Sequence, residues 1–107
     1  MSEAGKIICE EVLDLSTVAA LRAQLLLALA GAADVEIVAS AVERVDTANL
    51  QILCAAAREL RAAGRPFRLA APSAAFLLAA RRLGVAAVLD LEAVPPAAAL
   101  APGPTRP

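Results

Sequence analysis

One short segment brings a carboxylate, a hydroxyl and an amide to the start of a helix. Asp46, Thr47 and Asn49 follow the apolar stretch 35–39 and precede the helical stretch 50–61. A strand that ends in a polar turn and continues into a helix leaves free backbone N–H groups at the surface. Such a turn can bind a polar group of a partner. It can also serve only to cap the helix, through Asp46 or Thr47, which stabilises by about 1 kcal/mol. The sequence leaves both interpretations open.

The side chains that this protein lacks argue against most catalytic and metal-binding classes. It has no histidine, and its two cysteines, Cys9 and Cys54, stand far apart in the sequence. A serine or cysteine nucleophile would therefore have no histidine base, and a zinc site is not expected. No glycine-rich phosphate loop is present. Glu10 and Glu11 are neighbours on a predicted strand and point to opposite faces, so they form no acid–base pair. We predict a protein that is not an enzyme, with no catalytic residue, no metal and no cofactor.

Length and charge restrict the partners and the location. A chain of 107 residues fits one domain, and a net charge of −1 creates no field that attracts nucleic acid. The arginines between positions 58 and 82 have no interleaved aromatic residues for base stacking, and solvated helix faces explain them better than a basic patch. No apolar run reaches the roughly 18 residues of a membrane span, and the first residues lack a signal-peptide pattern. We predict a cytoplasmic protein that neither binds nucleic acid nor inserts into a membrane.

Apolar periodicity predicts strands alternating with helices on both sides of the polar segment. The predicted strands cover 6–13, 34–39 and 67–70, and 85–89 fits either a final strand or a short helix. The predicted helices are Ser16–Ala30, Ala48–Ala62 and Ser73–Leu83, with Ser16 as the N-cap of the first and Leu83 facing inward. This alternation predicts an α/β fold with a mostly parallel central sheet. Each helix has one apolar stripe, so the helices should pack mainly on one side. We place the domain at residues 1–92 and a disordered Pro/Ala-rich tail at 93–107.

Four sequence pieces in the same order resemble the STAS domain family of anti-sigma-factor antagonists and their relatives. The central piece, Asp46–Leu50, is similar to the family's Asp-Ser-Ser-Gly-Leu at the start of a helix. The supporting pieces are Val12–Thr17, Gly64–Ser73 and Leu83–Val85. The resemblance covers residues 7–91 and implies a STAS-like fold and a non-catalytic regulatory module that binds a protein.

The chain departs from the family pattern at the residues that matter most for regulation. Ala48 stands where the family usually has a phosphorylated serine, and Asn49 stands where it has a glycine. Thr47 is therefore the one candidate for phosphorylation at this turn. The first strand of the family is short or absent here. The resemblance implies a partner-binding surface at six positions: Glu43, Arg44, Asp46, Thr47, Ala48 and Asn49.

The resemblance leaves several partners open. An anti-sigma-factor antagonist would bind an anti-sigma factor or a serine-kinase-like ATPase. Alternatively, the Asp-Thr version of the motif resembles STAS subunits that stabilise lipid-transport complexes of the ABC type, whose partner would be a transporter ATPase. A chemotaxis-associated STAS protein is a further alternative. Some STAS domains are thought to bind nucleotides, but this chain lacks a phosphate loop, which makes that hypothesis the weakest.

Overall fold

Strands and helices alternate along residues 5–31 and 34–91, the part of the chain that the computed structural model describes. The elements in chain order are β1 (Lys6–Ile8), β2 (Val12–Leu13), α1 (Leu15–Gly31), β3 (Val35–Val38), β4 (Arg44–Val45), α2 (Thr47–Ala62), β5 (Phe67–Ala70) and α3 (Ala74–Leu83). This confirms the predicted α/β fold, and the three predicted helices are present to within one residue at each end. The predicted tail at 93–107 lies outside the described residues.

The central sheet is parallel, with the strand order β1-β3-β5. Its register places Ile7 beside Ile37 and Ile37 beside Leu69. Side chains alternate across the sheet, so Ile7, Ile37 and Phe67 are buried in the core that the helices form on one face. The opposite face carries the aligned row Lys6, Glu36 and Arg68, in which Glu36 and Arg68 form an ion pair at 3.1 Å.

The predicted opening strand over 6–13 is divided in the structure. β1 pairs with β3, whereas β2 leaves that sheet and forms a separate two-residue parallel ladder with β4. The Glu11 carbonyl at the bend accepts hydrogen bonds from the backbone N–H groups of Glu43 (2.7 Å) and Arg44 (3.1 Å). The loop before α2 thus satisfies the Glu11 carbonyl, which lies between the two ladders. This second ladder positions the start of α2.

The sequence of residues 85–89 fits either a final strand or a short helix, but the structure forms neither there. Gly84 ends α3 in the left-handed region, with φ 83°, a conformation that suits glycine. The chain then makes successive turns, in which the Leu89 N–H donates to the Val85 carbonyl and the Leu91 N–H to the Ala86 carbonyl. Leu89 and Leu91 are fully buried, so these turns close one side of the core. Among the described helices, none combines the length and the apolar character that crossing a bilayer requires.

Candidate functional site

The start of α2 is fixed to β2 by backbone and side-chain hydrogen bonds. The Asp46 N–H donates to the Leu13 carbonyl at 2.9 Å, directly after the short β4 strand. Asp46 has an extended backbone, and its carboxylate accepts a hydrogen bond from the Asn49 N–H at 3.1 Å. Asp46 is therefore the N-cap of α2, and Thr47 is the first residue of the helix. Of the two capping candidates that the sequence left open, the structure uses Asp46.

Thr47 is exposed beside this cap. Its hydroxyl makes no hydrogen bond with any residue in the described ranges. Glu43 and Arg44 are also exposed, on the loop and strand that lead to the cap, and Ala48 is half-buried. The structure thus places Glu43, Arg44, Asp46 and Thr47 around one turn. Whether a partner binds there remains a prediction.

Asn49 does not lie on this surface, although the sequence suggested it as a partner-binding residue. Its side chain is fully buried. Its Nδ2 donates to the Asp46 carboxylate at 2.9 Å and to the Asp14 carbonyl at 3.1 Å. Asn49 turns inward because its position in the first turn lies over the inner side of α2, next to the buried Leu50. The side chain joins the starts of α1 and α2 and leaves the surface to its neighbours.

The start of α1 is capped by Asp14, and not by Ser16 as the sequence suggested. The Asp14 carboxylate accepts from the Ser16 N–H at 2.9 Å and from the Ser16 hydroxyl at 2.6 Å. The Thr17 hydroxyl donates to the Asp14 carbonyl and accepts from the Asp14 N–H, both at 3.0 Å. The Ser16 hydroxyl bond lowers the pKa of Asp14 most, and the nearby Arg44 guanidinium lowers it further. Both hydroxyls of this turn are occupied.

An open apolar groove lies next to Thr47, between the first turn of α2 and the outer side of α3. The groove has a volume of about 440 Å³. Its apolar lining consists of Val45, Leu50, Ala75, Leu78, Ala79 and Leu83. Glu43, Arg44, Thr47 and Arg82 complete the lining. The turn and the groove therefore form one continuous surface that combines a hydroxyl, two cations and exposed aliphatic side chains.

The prediction from the sequence was wrong for one leucine of this groove and did not include another. Leu83 was predicted to face inward, but 37% of it is exposed, because α3 ends there and its last turn reaches past the core. Leu78 is 51% exposed and was not identified. The spacing of residues along α3 did indicate that Leu78 is exposed. Leu78 and Arg82 stand four residues apart, off the stripe of Phe76, Leu77 and Ala80 that packs into the core.

The two cysteines do not contribute to this site. Cys9 is 4% exposed, and burial raises the pKa of its thiol to about 11. Burial also raises the pKa of the Cys54 thiol, against the opposing effect of Arg58 and Arg61. Both thiols therefore stay protonated near neutral pH and pack as small apolar groups. Within residues 5–31 and 34–91, no three cysteine or carboxylate side chains are grouped so that they could hold a metal ion.

Comparison with known proteins gives one match. A family model described as "Mlab, STAS domain" matches residues 2–92. No curated protein and no solved structure gives a significant match. The matched stretch includes every strand and helix from β1 to α3, together with the turn at Asp46 and the adjoining groove.

Proposed function

The chain belongs to the STAS domain family, and on this basis we propose that it is a non-catalytic regulatory module that binds a protein partner. The binding surface is the turn Asp46–Leu50, which the resemblance to anti-sigma-factor antagonists implies, together with the groove beside it. The proposal rests on the different roles of two neighbouring residues at the start of α2. Asp46 caps the helix, and the exposed Thr47 hydroxyl makes no hydrogen bond to a described residue.

The Thr47 hydroxyl is well placed for a partner. It stands at a helix N-terminus, where the backbone N–H groups that the cap does not engage favour a carboxylate or another polar acceptor. Glu43 and Arg44 lie on the approach to the same turn and can pair with charges of the partner. The half-buried Ala48 adds only a small contact, so the partner's backbone can come close to the turn.

The groove supplies the apolar part of the surface. Leu78 and Leu83 are partly exposed to water in the isolated chain. A partner that covers them gains roughly 25 cal/mol of binding free energy for each Å² of apolar surface buried. Arg82 lies at the edge of the groove with no ion pair to a described residue. A partner segment that presents an aliphatic side chain next to a carboxylate would fill the groove and pair with Arg82. We propose an amphipathic helix of the partner as that segment.

Two kinds of partner fit this surface, and we favour the first. In the first, the chain acts as a cytoplasmic antagonist and binds an anti-sigma factor or a serine-kinase-like ATPase. In the second, it is a subunit that stabilises a lipid-transport complex through its transporter ATPase. Ala48 is the observation that supports the second, because the serine on which the family's switching depends is missing. A phosphorylation switch in this chain would have to use Thr47, where a phosphate adds a charge of about −2 beside Asp46.

The central test separates binding from folding. In Thr47→Glu, the new carboxylate is tolerated at the helix N-terminus of the free chain, with a stabilisation of about 0.3–1 kcal/mol. In the complex, the same charge would lose water without gaining a partner, at a cost of several kcal/mol. We expect thermal unfolding to be unchanged or slightly raised, and the affinity for the purified cognate ATPase to fall by at least about 100-fold.

The control is Arg58→Ala, on an exposed position far from the first turn of α2. This variant should bind with unchanged affinity. A Thr47→Glu protein that melts like the wild type and binds like the wild type would refute the proposed docking site. The class of ATPase recovered with the tagged wild-type chain, kinase-like or transporter, decides between the two partners. Intact-mass measurement after incubation with a kinase-like partner tests the modification, and a phosphate at any residue other than Thr47 contradicts the proposed switch.

A further inference from the structure

α1 carries an exposed apolar stripe that no described element covers. Only one residue of this 17-residue helix, Arg22, is charged. The exposed stripe repeats at spacings of three and four, which keeps its members on one side of the helix: Leu15, Ala19, Ala23, Leu26 and Ala30. Leu15 is 73% exposed and Leu26 is 51% exposed. A soluble helix normally places charged side chains on its outer side, so this stripe requires an explanation.

The stripe continues into a groove between α1 and α2. The groove has a volume of about 170 Å³ and shares Leu26 with the stripe. The rest of its lining is Arg22, Leu25, Leu29, Ile52, Ala55, Ala56 and Glu59. Apart from Arg22 and Glu59, every lining side chain is aliphatic. This surface lies along the flank of α2 that faces α1, whereas the groove beside Thr47 lies between α2 and α3.

The two helices beside this groove run in the same direction. Asn49 hydrogen-bonds to the Asp14 carbonyl at their starts, and the Arg65 guanidinium donates to the Leu29 carbonyl at their ends (2.9 Å). The groove is lined by residues 22–29 of α1 and residues 52–59 of α2, so Arg22 is the first lining residue of one wall and Glu59 is the last lining residue of the other. Because the two helices run in the same direction, the positive and negative side chains lie towards opposite ends of the groove.

We propose that a second copy of this chain covers the α1 stripe and the α1–α2 groove, in a two-fold symmetric dimer. In such an interface, a patch meets its own copy running the other way. The Arg22 end of one groove then faces the Glu59 end of the other, and the pairing occurs twice. Neither Arg22 nor Glu59 forms an ion pair within the described part of the chain, so both are available for it. Leu26 of each copy lies near the centre, against the alanines of the other.

The area available makes this dimer reversible. A helix of 17 residues is about 25 Å long and about 10 Å wide, which gives a footprint of about 250 Å² before the wall of α2 is added. Stable complexes bury about 800 Å² on each partner. An interface of this size is typical of weak, transient association, so we expect a dissociation constant in the micromolar range or weaker, and the dimer should form only when the chain is concentrated.

Sedimentation velocity on the full chain tests the association. The weight-average mass should rise from 10.9 kDa towards twice that value as the concentration increases through this range. Leu26→Glu should raise the dissociation constant by more than about tenfold. The matched control is Leu78→Glu, a substitution at an equally exposed leucine on α3, which should leave association unchanged. Circular dichroism confirms that each variant is folded.

A charge exchange tests the geometry itself. Arg22→Glu and Glu59→Arg each bring like charges together, so each should raise the dissociation constant by about three- to tenfold. The double variant restores opposite charges and should return to within about twofold of the wild type. The proposal is overturned if the wild type stays monomeric at every concentration. It is also overturned if Leu78→Glu, and not Leu26→Glu, abolishes the dimer, or if the double variant is weaker than both single variants. A monomer that covers this stripe only when mixed with its ATPase would assign the surface to that partner.

Discussion

The starts of α1 and α2 use the same capping chemistry and leave different groups free. In each, an aspartate after a short strand caps the helix: Asp14 for α1 and Asp46 for α2. At α1, the hydroxyls of Ser16 and Thr17 are both engaged by Asp14. At α2, the Thr47 hydroxyl is exposed and makes no hydrogen bond with a described residue. One turn uses its hydroxyls to stabilise the helix, and the other turn presents its hydroxyl to the solvent.

This difference distinguishes a turn whose hydroxyls complete the cap from a turn whose hydroxyl is left available. A hydroxyl that completes a cap contributes to folding and is not free to bind a partner without a loss of stability. A hydroxyl beside a cap that is already complete contributes little to folding. The outward side chains of the second turn can therefore be substituted with little effect on the stability of the fold. The buried amide of Asn49, which joins both caps, makes this possible because it stabilises α2 from the inside.

The largest expected effect comes from removing that amide. Asn49→Ala deletes the hydrogen bonds from Nδ2 to Asp14 and Asp46 and leaves a small cavity in a fully buried place. We expect a loss of about 2–3 kcal/mol in the free energy of unfolding, measured by urea denaturation. Ser16→Ala is the control, since it removes one exposed hydrogen bond and should cost less than about 1 kcal/mol. Equal costs for the two variants would show that Asn49 does not link the caps.

An intermediate effect should separate the two threonines. Thr17→Val keeps the shape of the side chain but removes both hydrogen bonds with the Asp14 backbone, which should cost about 1 kcal/mol in the free energy of unfolding. Thr47→Val removes no hydrogen bond to a described residue and should change stability by less than about 0.5 kcal/mol. The same denaturation experiment measures both. If Thr47→Val were as destabilising as Thr17→Val, the contrast between the two turns would be lost.

The smallest effect concerns acid pH and Asp14. Hydrogen bonding to Ser16 lowers the pKa of Asp14 below its ordinary 3.8 in the folded chain. A group with a lowered folded pKa contributes stability above its unfolded pKa and loses that contribution as the pH falls through the folded value. Stability should therefore decline below about pH 4. Asp14→Asn, which retains an oxygen acceptor, should show a shallower decline in unfolding experiments across this range. A decline in Asp14→Asn as steep as that of the wild type would contradict the contribution of this carboxylate.

The sequence was sufficient for the features that depend on local periodicity. The stripe of Leu50, Leu53 and Leu60 identified α2, and Gly64 and Pro66 marked where it ends. The parallel sheet followed from the alternation of elements, and the candidate turn followed from its polar residues between a strand and a helix. These features are set by residues close together in the chain, and the structure confirms the fold that they predicted.

The features that depend on contacts between distant residues could not be predicted. The polar character of Asn49 suggested the surface, but its partner at Asp14 lies 35 residues earlier in the chain. The groove of Leu78 and Leu83 exists because α3 is packed beside β4, and a single helix sequence does not contain that information. The bend at Glu11 depends in the same way on the loop at Glu43. In each case, the role of a side chain or a carbonyl depends on contacts with a segment that is distant in the sequence.

The small ladder between β2 and β4 has a consequence for the order of folding. The segment 43–46 acquires its shape only when the Glu11 and Leu13 carbonyls accept its backbone hydrogen bonds, and this requires the chain to close a loop of about thirty residues. Contacts of such sequence separation form late compared with the helices on either side. A chain that is still folding, or that has lost β2, would contain α2 but would not display Thr47 in its final setting. The partner binding that we propose at this turn would therefore be restricted to completely folded molecules.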